Sequence, residues 1–381
     1  MRPRKFLAAA MQVRTVVRLG KLLPVHPAVD PMPQANQPVQ HWRLLLRAHY
    51  HKFAVESPES ARYILGIVLP FKLVYHDGYD LHLGAHVFPS RKYRLIRDRL
   101  LADGFAEPSD FIRPEPVSDA DMLLVHDRGW ITRLKLGTLD YLELMKLEIP
   151  YSRQMVEAFW LAAGGTVLAA RLALEGGVGF NIGGGFHHAF PRHGEGFCAI
   201  HDVAVAIRKL QQERRIERAM VIDCDVHDGN GTAAIFAGDP SVFTLSIHQL
   251  NNYPTEKPPS NIDINLDDGV GDEEYLKRLG EACRGALSRF QPQLLMYVAG
   301  ADPYREDQLG GLSLSIEGLK ARDRMVFELA HEHRAAIAVT LAGGYAIRVQ
   351  DTVTIHCNTA KVAADFGRSD FRGHQDRSVR E

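Results

Sequence analysis

The sequence predicts an α/β protein: a largely parallel sheet of short buried strands, with helices covering both faces. Three observations carry this. Apolar runs at Val178 to Ile182, Met220 to Asp223, Val242 to Ile247, Leu294 to Ala299 and Ile337 to Leu341 have strand length and no polar face. Helical stretches separate them, such as Glu273 to Phe290, where Leu276, Leu279, Cys283, Leu287 and Phe290 fall at three-and-four spacing. Each run also ends in glycines, in chemically capable side chains, or in both, and open α/β sheets bind ligands beyond the carboxyl ends of their strands.

Taken in order, the first 70 residues differ from the rest. They hold ten Lys or Arg against three Asp or Glu, and Pro24, Pro27, Pro31, Pro33 and Pro38 interrupt any long element. They read as a basic, non-catalytic extension: a transit segment, a mobile arm or translation from an upstream start. A compact domain is expected over 71–366, followed by a polar tail over 367–381. Phe71 to Tyr75 reads as a short strand and Lys92 to Leu101 as a helix. Ser118 with Asp121 three residues on is a helix N-cap signature. A long helix is expected from about Ser152 to Glu175, with Gly164-Gly165 as a packing or bending point.

Composition narrows the classes. The chain has 381 residues, 46% hydrophobic and 24% charged, enough for a large core. Its formal net charge of -1 gives no bulk attraction to nucleic acid or anionic lipid. No apolar run of 18 or more residues marks a membrane span. Cys198, Cys224, Cys283 and Cys357 are widely separated, so buried reduced thiols are expected, and with them a cytoplasmic location unless the basic extension targets an organelle. Gly177 to Gly183 loosely resembles a dinucleotide loop, but its first two glycines precede the strand and the spacing is wrong.

The chemistry gathers at the strand ends. Asp223, Asp225 and His227 alternate beyond one strand and point the same way. Asp225 with His227 offers an oxygen and a nitrogen, and Asp302 at the end of its own strand completes three ligands with a corner left open, the arrangement of a catalytic zinc. Two carboxylates neutralise a divalent ion, which then acidifies bound water less well, so a separate base is needed. His187 and His188, after Gly183-Gly184-Gly185, are the candidates. Tyr345 after Gly343-Gly344 can hydrogen-bond an acyl carbonyl. Metal, base and oxyanion donor together suit hydrolysis of an amide or ester.

Gly183 to Ala189, Gly196-Phe197-Cys198, Asp223 to Gly231, Gly300-Ala301-Asp302 and Gly343-Gly344-Tyr345 together resemble the zinc-dependent histone deacetylases, most nearly the class IV group and its bacterial relatives. Asp302-Pro303, the stretch Asp307 to Ser315 and Asn230 point to that group. The resemblance runs from about Phe71 to Phe366. It implies a single arginase-deacetylase domain with a sheet of about eight strands. It also implies one zinc per chain on Asp225, His227 and Asp302, with His188 as general base and acid, His187 as its electrostatic partner and Tyr345 polarising the carbonyl. Asp223 would orient His187, and Asn230, an Asp in many relatives, would face His188. The family often holds a potassium ion beside the metal strand, and Asp223, Asp225, His227, Ser246 and Ile247 match that loop.

Gly196, Phe197 and Tyr253 resemble walls of the tunnel that grips a lysine stem in the family. Two departures bear on substrate: His201 stands where many relatives have Asn, and the loop after Tyr75 shows no clear counterpart of the acidic rim residue. The expected substrate is an acyl-lysine protein or a small acylated amine. A ureohydrolase, a polyamine deacylase on the same scaffold and a catalytically idle acyl-lysine binding module are the alternatives. Oligomeric state is left open.

Overall fold

The computed structural model describes residues 69–367, so the expectations for the basic extension and the tail lie outside the described residues. Eight strands form one sheet: β1 (Leu73–Val74), β2 (Phe111–Ile112), β3 (Val178–Asn181), β4 (Ala219–Asp223), β5 (Val242–Gln249), β6 (Ile262–Leu266), β7 (Leu294–Val298) and β8 (Ala336–Thr340). Their order is β2-β1-β3-β8-β7-β4-β5-β6, and every pairing is parallel. The expected fold class is therefore the observed one. The five apolar runs became β3, β4, β5, β7 and β8, which lie side by side, so their carboxyl ends make one continuous rim.

Ten helices surround the sheet among the described residues: α1 (Lys92–Ala102), α2 (Asp119–Met122), α3 (Arg128–Leu136), α4 (Tyr141–Leu147), α5 (Arg153–Gly176), α6 (Asp202–Gln212), α7 (Asn230–Phe236), α8 (Asp272–Phe290), α9 (Ile316–Glu332) and α10 (Val349–Ala363). Helix α5 packs on β3, β8 and α6, while α8, α9, α10 and α1 pack successively on one another. Strands covered by two such helix groups need no polar face, which explains their unbroken apolar runs.

Helix α5 starts at the Ser152 cap, whose side chain accepts the Met155 N–H. It is long and apolar enough to cross a membrane by length and composition, but 72% of its most apolar window is buried inside the protein, as in a core helix. Ser118 and Asp121 form the expected capping box, yet the helix they open is a single turn, Asp119–Met122. All four cysteines are buried and free, as expected.

Candidate active site

Three side chains from two strand ends meet at the rim. His227 Nδ1 lies 3.0 Å from Asp225 Oδ1 and 3.5 Å from Asp302 Oδ2, with all three residues buried. Backbone donors orient both acids: Gly343 N–H donates to Asp225 Oδ2 at 2.8 Å, and Val226 N–H to Asp302 Oδ1 at 2.8 Å. Asp302 Oδ2 is buried with no hydrogen bond. A methyl group at Gly343 would overlap Asp302 Oδ2, so the glycine keeps this cradle open. Two carboxylates, one imidazole and an orphaned oxygen fit a first-row divalent ion.

The proton balance agrees. Burial, then Asp225, pushes the Asp302 carboxyl up to about 7. Burial works against protonated His227, but its hydrogen bond to Asp225 and the negative charges of Asp225 and Asp302 outweigh it and hold the imidazole at about 10. A cation entering this cluster replaces a proton that the cluster otherwise retains.

The histidine pair sits beside it, set by the turn after β3. Asp202 Oδ1 accepts the Phe186 N–H at 2.8 Å and Asp202 Oδ2 the Gly185 N–H at 2.9 Å, which pins that turn. His187 Nδ1–H donates to Asp223 Oδ2 at 2.7 Å. Burial opposes its charge, yet Asp223 and Asp225 raise His187 to about 9. His188 goes the other way: burial and the positive charges of His187 and His227 push it well below its ordinary value.

The tautomer of His188 follows from its neighbours. Asn230 Nδ2–H donates to Glu195 Oε1 at 2.6 Å, and a carboxylate can only accept. The amide oxygen is then the atom 2.8 Å from His188 Nδ1, so that nitrogen carries the proton and donates. Nε2 keeps its lone pair.

A narrow pocket adjoins the pair, lined among others by Phe88, Gly196, Phe197, Cys198 and Tyr345. The Tyr345 ring lies edge-on to Phe88 and Phe197, with centroids 6.0 Å from each. Burial raises its phenol well above the ordinary value, so it stays a donor. Tyr253 stands edge-on to His188 at 5.0 Å and reaches Glu195 Oε1 at 3.3 Å.

The histone deacetylase domain profile matches residues 86–360. The chain belongs to the histone deacetylase family. It is 33% identical to histone deacetylase 2 of Arabidopsis thaliana, over 72% of this chain and 74% of that one. An uncharacterized protein of Picosynechococcus is 38% identical over 77% of this chain and 99% of its own length. Among solved structures, the HD domain of HDA15 matches with a TM-score of 0.65 at 23% identity, covering 77% of this chain and 88% of that one. An HDAC homolog complexed with SAHA gives 0.66 at 24%, covering 77% and 84%. Both structures show the shared fold. The chain is thus a hydrolase of the deacetylase type.

In this deacetylase the expected site residues His187, His188, Asp223, Asp225, His227, Asn230, Asp302 and Tyr345 do come together, with Gly196 and Phe197 lining the pocket and Tyr253 edge-on to His188. Of the expected potassium loop, Ser246 Oγ lies 2.8 Å from His248 Nδ1, and Asp223 Oδ1 accepts the Asp225 N–H at 3.1 Å. His201 caps α6, accepting the Ala204 N–H at 3.1 Å, and its Nε2 lies 2.9 Å from Thr232 Oγ1.

Several participants escaped sequence reasoning. Lys92 is fully buried, donates to Ala342 O at 2.6 Å and lies 5.9 Å from the Tyr345 ring centroid. At the start of α1 it reads as a surface charge; only tertiary packing reveals otherwise. Asp77 and Asp80 in the loop after Tyr75 are spent on Tyr75 and Ser90. Close to Phe197, the Glu148 backbone carbonyl accepts from His86 at 2.9 Å, and the His86 ring stands 5.0 Å from that of Phe197.

Proposed function

We propose that the chain is a zinc-dependent deacylase that hydrolyses the amide of N-acyl-lysine. One observation carries the reading: Asn230, anchored by Glu195, fixes the His188 tautomer so that Nε2 is a neutral base beside the Asp225, His227 and Asp302 cluster. Bound there, zinc would polarise the acyl carbonyl and acidify a water. His188 Nε2 accepts the water's proton and returns it to the departing amine. The His187 imidazolium, held by Asp223, adds positive charge near the developing oxyanion. Tyr345 donates its phenol proton to that oxyanion in a hydrogen bond. Phe88, Phe197, Gly196 and Tyr253 supply apolar walls for the methylene stem of a lysine. A potassium ion around Asp223, Asp225, His227, Ser246 and Ile247 belongs to the same reading.

A small acylated amine is the second reading, favoured by the neighbouring acids Glu148 and Glu195, whose negative charge suits a cationic substrate. Acetyl-, butyryl- and myristoyl-lysine peptides and acetylated polyamines, assayed side by side for release of free acid, separate the two and also test for an idle binding module. Tyr345→Phe and His188→Ala are each expected to lower turnover by about two orders of magnitude or more with zinc content unchanged. Turnover like wild type in both variants would sink the mechanism.

A further inference from the structure

A second cluster of metal-capable groups lies outside the catalytic set. The register of β5 and β6 pairs Ser246 with Asp263 and His248 with Asn265. Side chains two apart on a strand share a face, so these four form one patch across the two strands. The loop leaving β4 brings Asp228 against it. Ligand atoms of Asp228, His248 and Asp263 all lie within 4.8 Å of one another.

Asp228 is the anomaly. It is 1% exposed, and neither carboxylate oxygen accepts a hydrogen bond. One of them lies 3.3 Å from His248 Nε2. Asp263 Oδ1 is also buried and without a partner, while Asp263 Oδ2 accepts the Ser260 N–H at 3.0 Å. The ammonium of Lys257 is engaged elsewhere, on the carbonyls of Asn252 and Pro254. A buried carboxylate without hydrogen bonds is costly unless a proton or a cation joins it. Two acids with three orphaned oxygens facing one imidazole therefore describe a receptor for positive charge.

We propose that Asp228, His248 and Asp263 form a second, structural binding site for a zinc-class divalent cation, sharing no ligand with the catalytic cluster. The donor set repeats the first site's composition, two carboxylates and one imidazole, which suits zinc or a neighbouring first-row ion better than calcium. His248 has the support a ligand needs. Nδ1 lies 2.8 Å from Ser246 Oγ and Nε2 3.0 Å from Asn265 Oδ1. Without an ion, Nε2–H donates to Asn265; on binding, the ring proton moves to Nδ1, Ser246 accepts it, and the Nε2 lone pair turns to the cation.

The placement gives the ion a task. Asp228 follows His227 directly, so one peptide unit carries a ligand for each site. A cation on Asp228 fastens the β4 exit loop to β5 and β6, and with it the backbone that aims His227.

The test is zinc stoichiometry on the full chain. Protein stripped by chelator is brought to equilibrium by dialysis against micromolar zinc and analysed for bound metal, in the wild type, Asp302→Ala and Asp263→Ala. Two zinc per chain in the wild type and one in each variant is the expected result. One zinc in the wild type that disappears in Asp302→Ala would overturn the second site and leave the catalytic reading standing. Two zinc retained by Asp263→Ala would equally overturn it, by placing the second ion elsewhere. Should Asp263→Ala lose its folded circular-dichroism spectrum, His248→Gln, which keeps a polar group at the position, replaces it with the same expectations.

Discussion

At the scale of single residues, the site works because a few side chains remove choices from others. Glu195 is the clearest case. Against the cost of its own burial, hydrogen bonds from His193 and Asn230 hold its carboxyl below the ordinary range. As a permanent acceptor it orients the Asn230 amide, which in turn decides which His188 nitrogen is free. Glu195→Gln offers a donor as well as an acceptor and lets that amide turn over. The expected result is a fall in kcat of roughly tenfold, smaller than the loss from removing His188, with zinc content unchanged. An unaltered kcat would show that the tautomer is fixed by something else. His187, His188, Asp225, His227, Asp302 and Tyr345 were legible because strand-end glycines mark where backbone meets ligand. Glu195 and Lys92 were not, because each acts through a partner distant in sequence: Lys92 meets Ala342, 250 positions away.

At the scale of elements, close approach decides what each position tolerates. In α5, a methyl group at Gly164 would overlap the Glu115 carbonyl oxygen and crowd Pro116. Alanine is worth up to about 1 kcal/mol over glycine in a helix interior. The clash is with backbone, which cannot swing aside, and overpacking costs roughly 1–3 kcal/mol. Gly164→Ala is therefore expected to lower the thermal midpoint by several degrees, as followed by circular dichroism; a higher midpoint would mean that the 115–116 segment yields. The same scale shows what periodicity misses. Strand β2 is two residues long, too short for any pattern, and β6, Ile262–Leu266, has an exposed Asn265 and a partly exposed Asp263 because it is an edge. The five central strands were readable because burial on both sides leaves no room for polar residues.

For the whole molecule, buried histidines set the response to acid. Burial depresses His126 from 6.5 to about 4. The ring is built in as a neutral acceptor: its Nε2 accepts the His201 N–H at 2.9 Å, while its Nδ1–H donates to Phe190 O at 3.1 Å. Between those two values the unfolded chain binds more protons than the folded one. Stability from this residue is therefore complete above about 6.5 and drains away as pH falls toward 4, by on the order of 3 kcal/mol in all. Urea unfolding at pH 7 and pH 5 should show a smaller difference for His126→Gln than for the wild type, and equal differences would contradict this assignment.

The strand order also bears on how the molecule is made. Strand β8 lies between β3 and β7, so the last of the described strands to be synthesised is inserted at the centre of the sheet, and Tyr345 arrives with it. Until then β3 and β7 face each other as open edges, and no shorter nascent chain can hold the complete pocket. The pocket therefore cannot turn over a substrate molecule until synthesis has passed Tyr345.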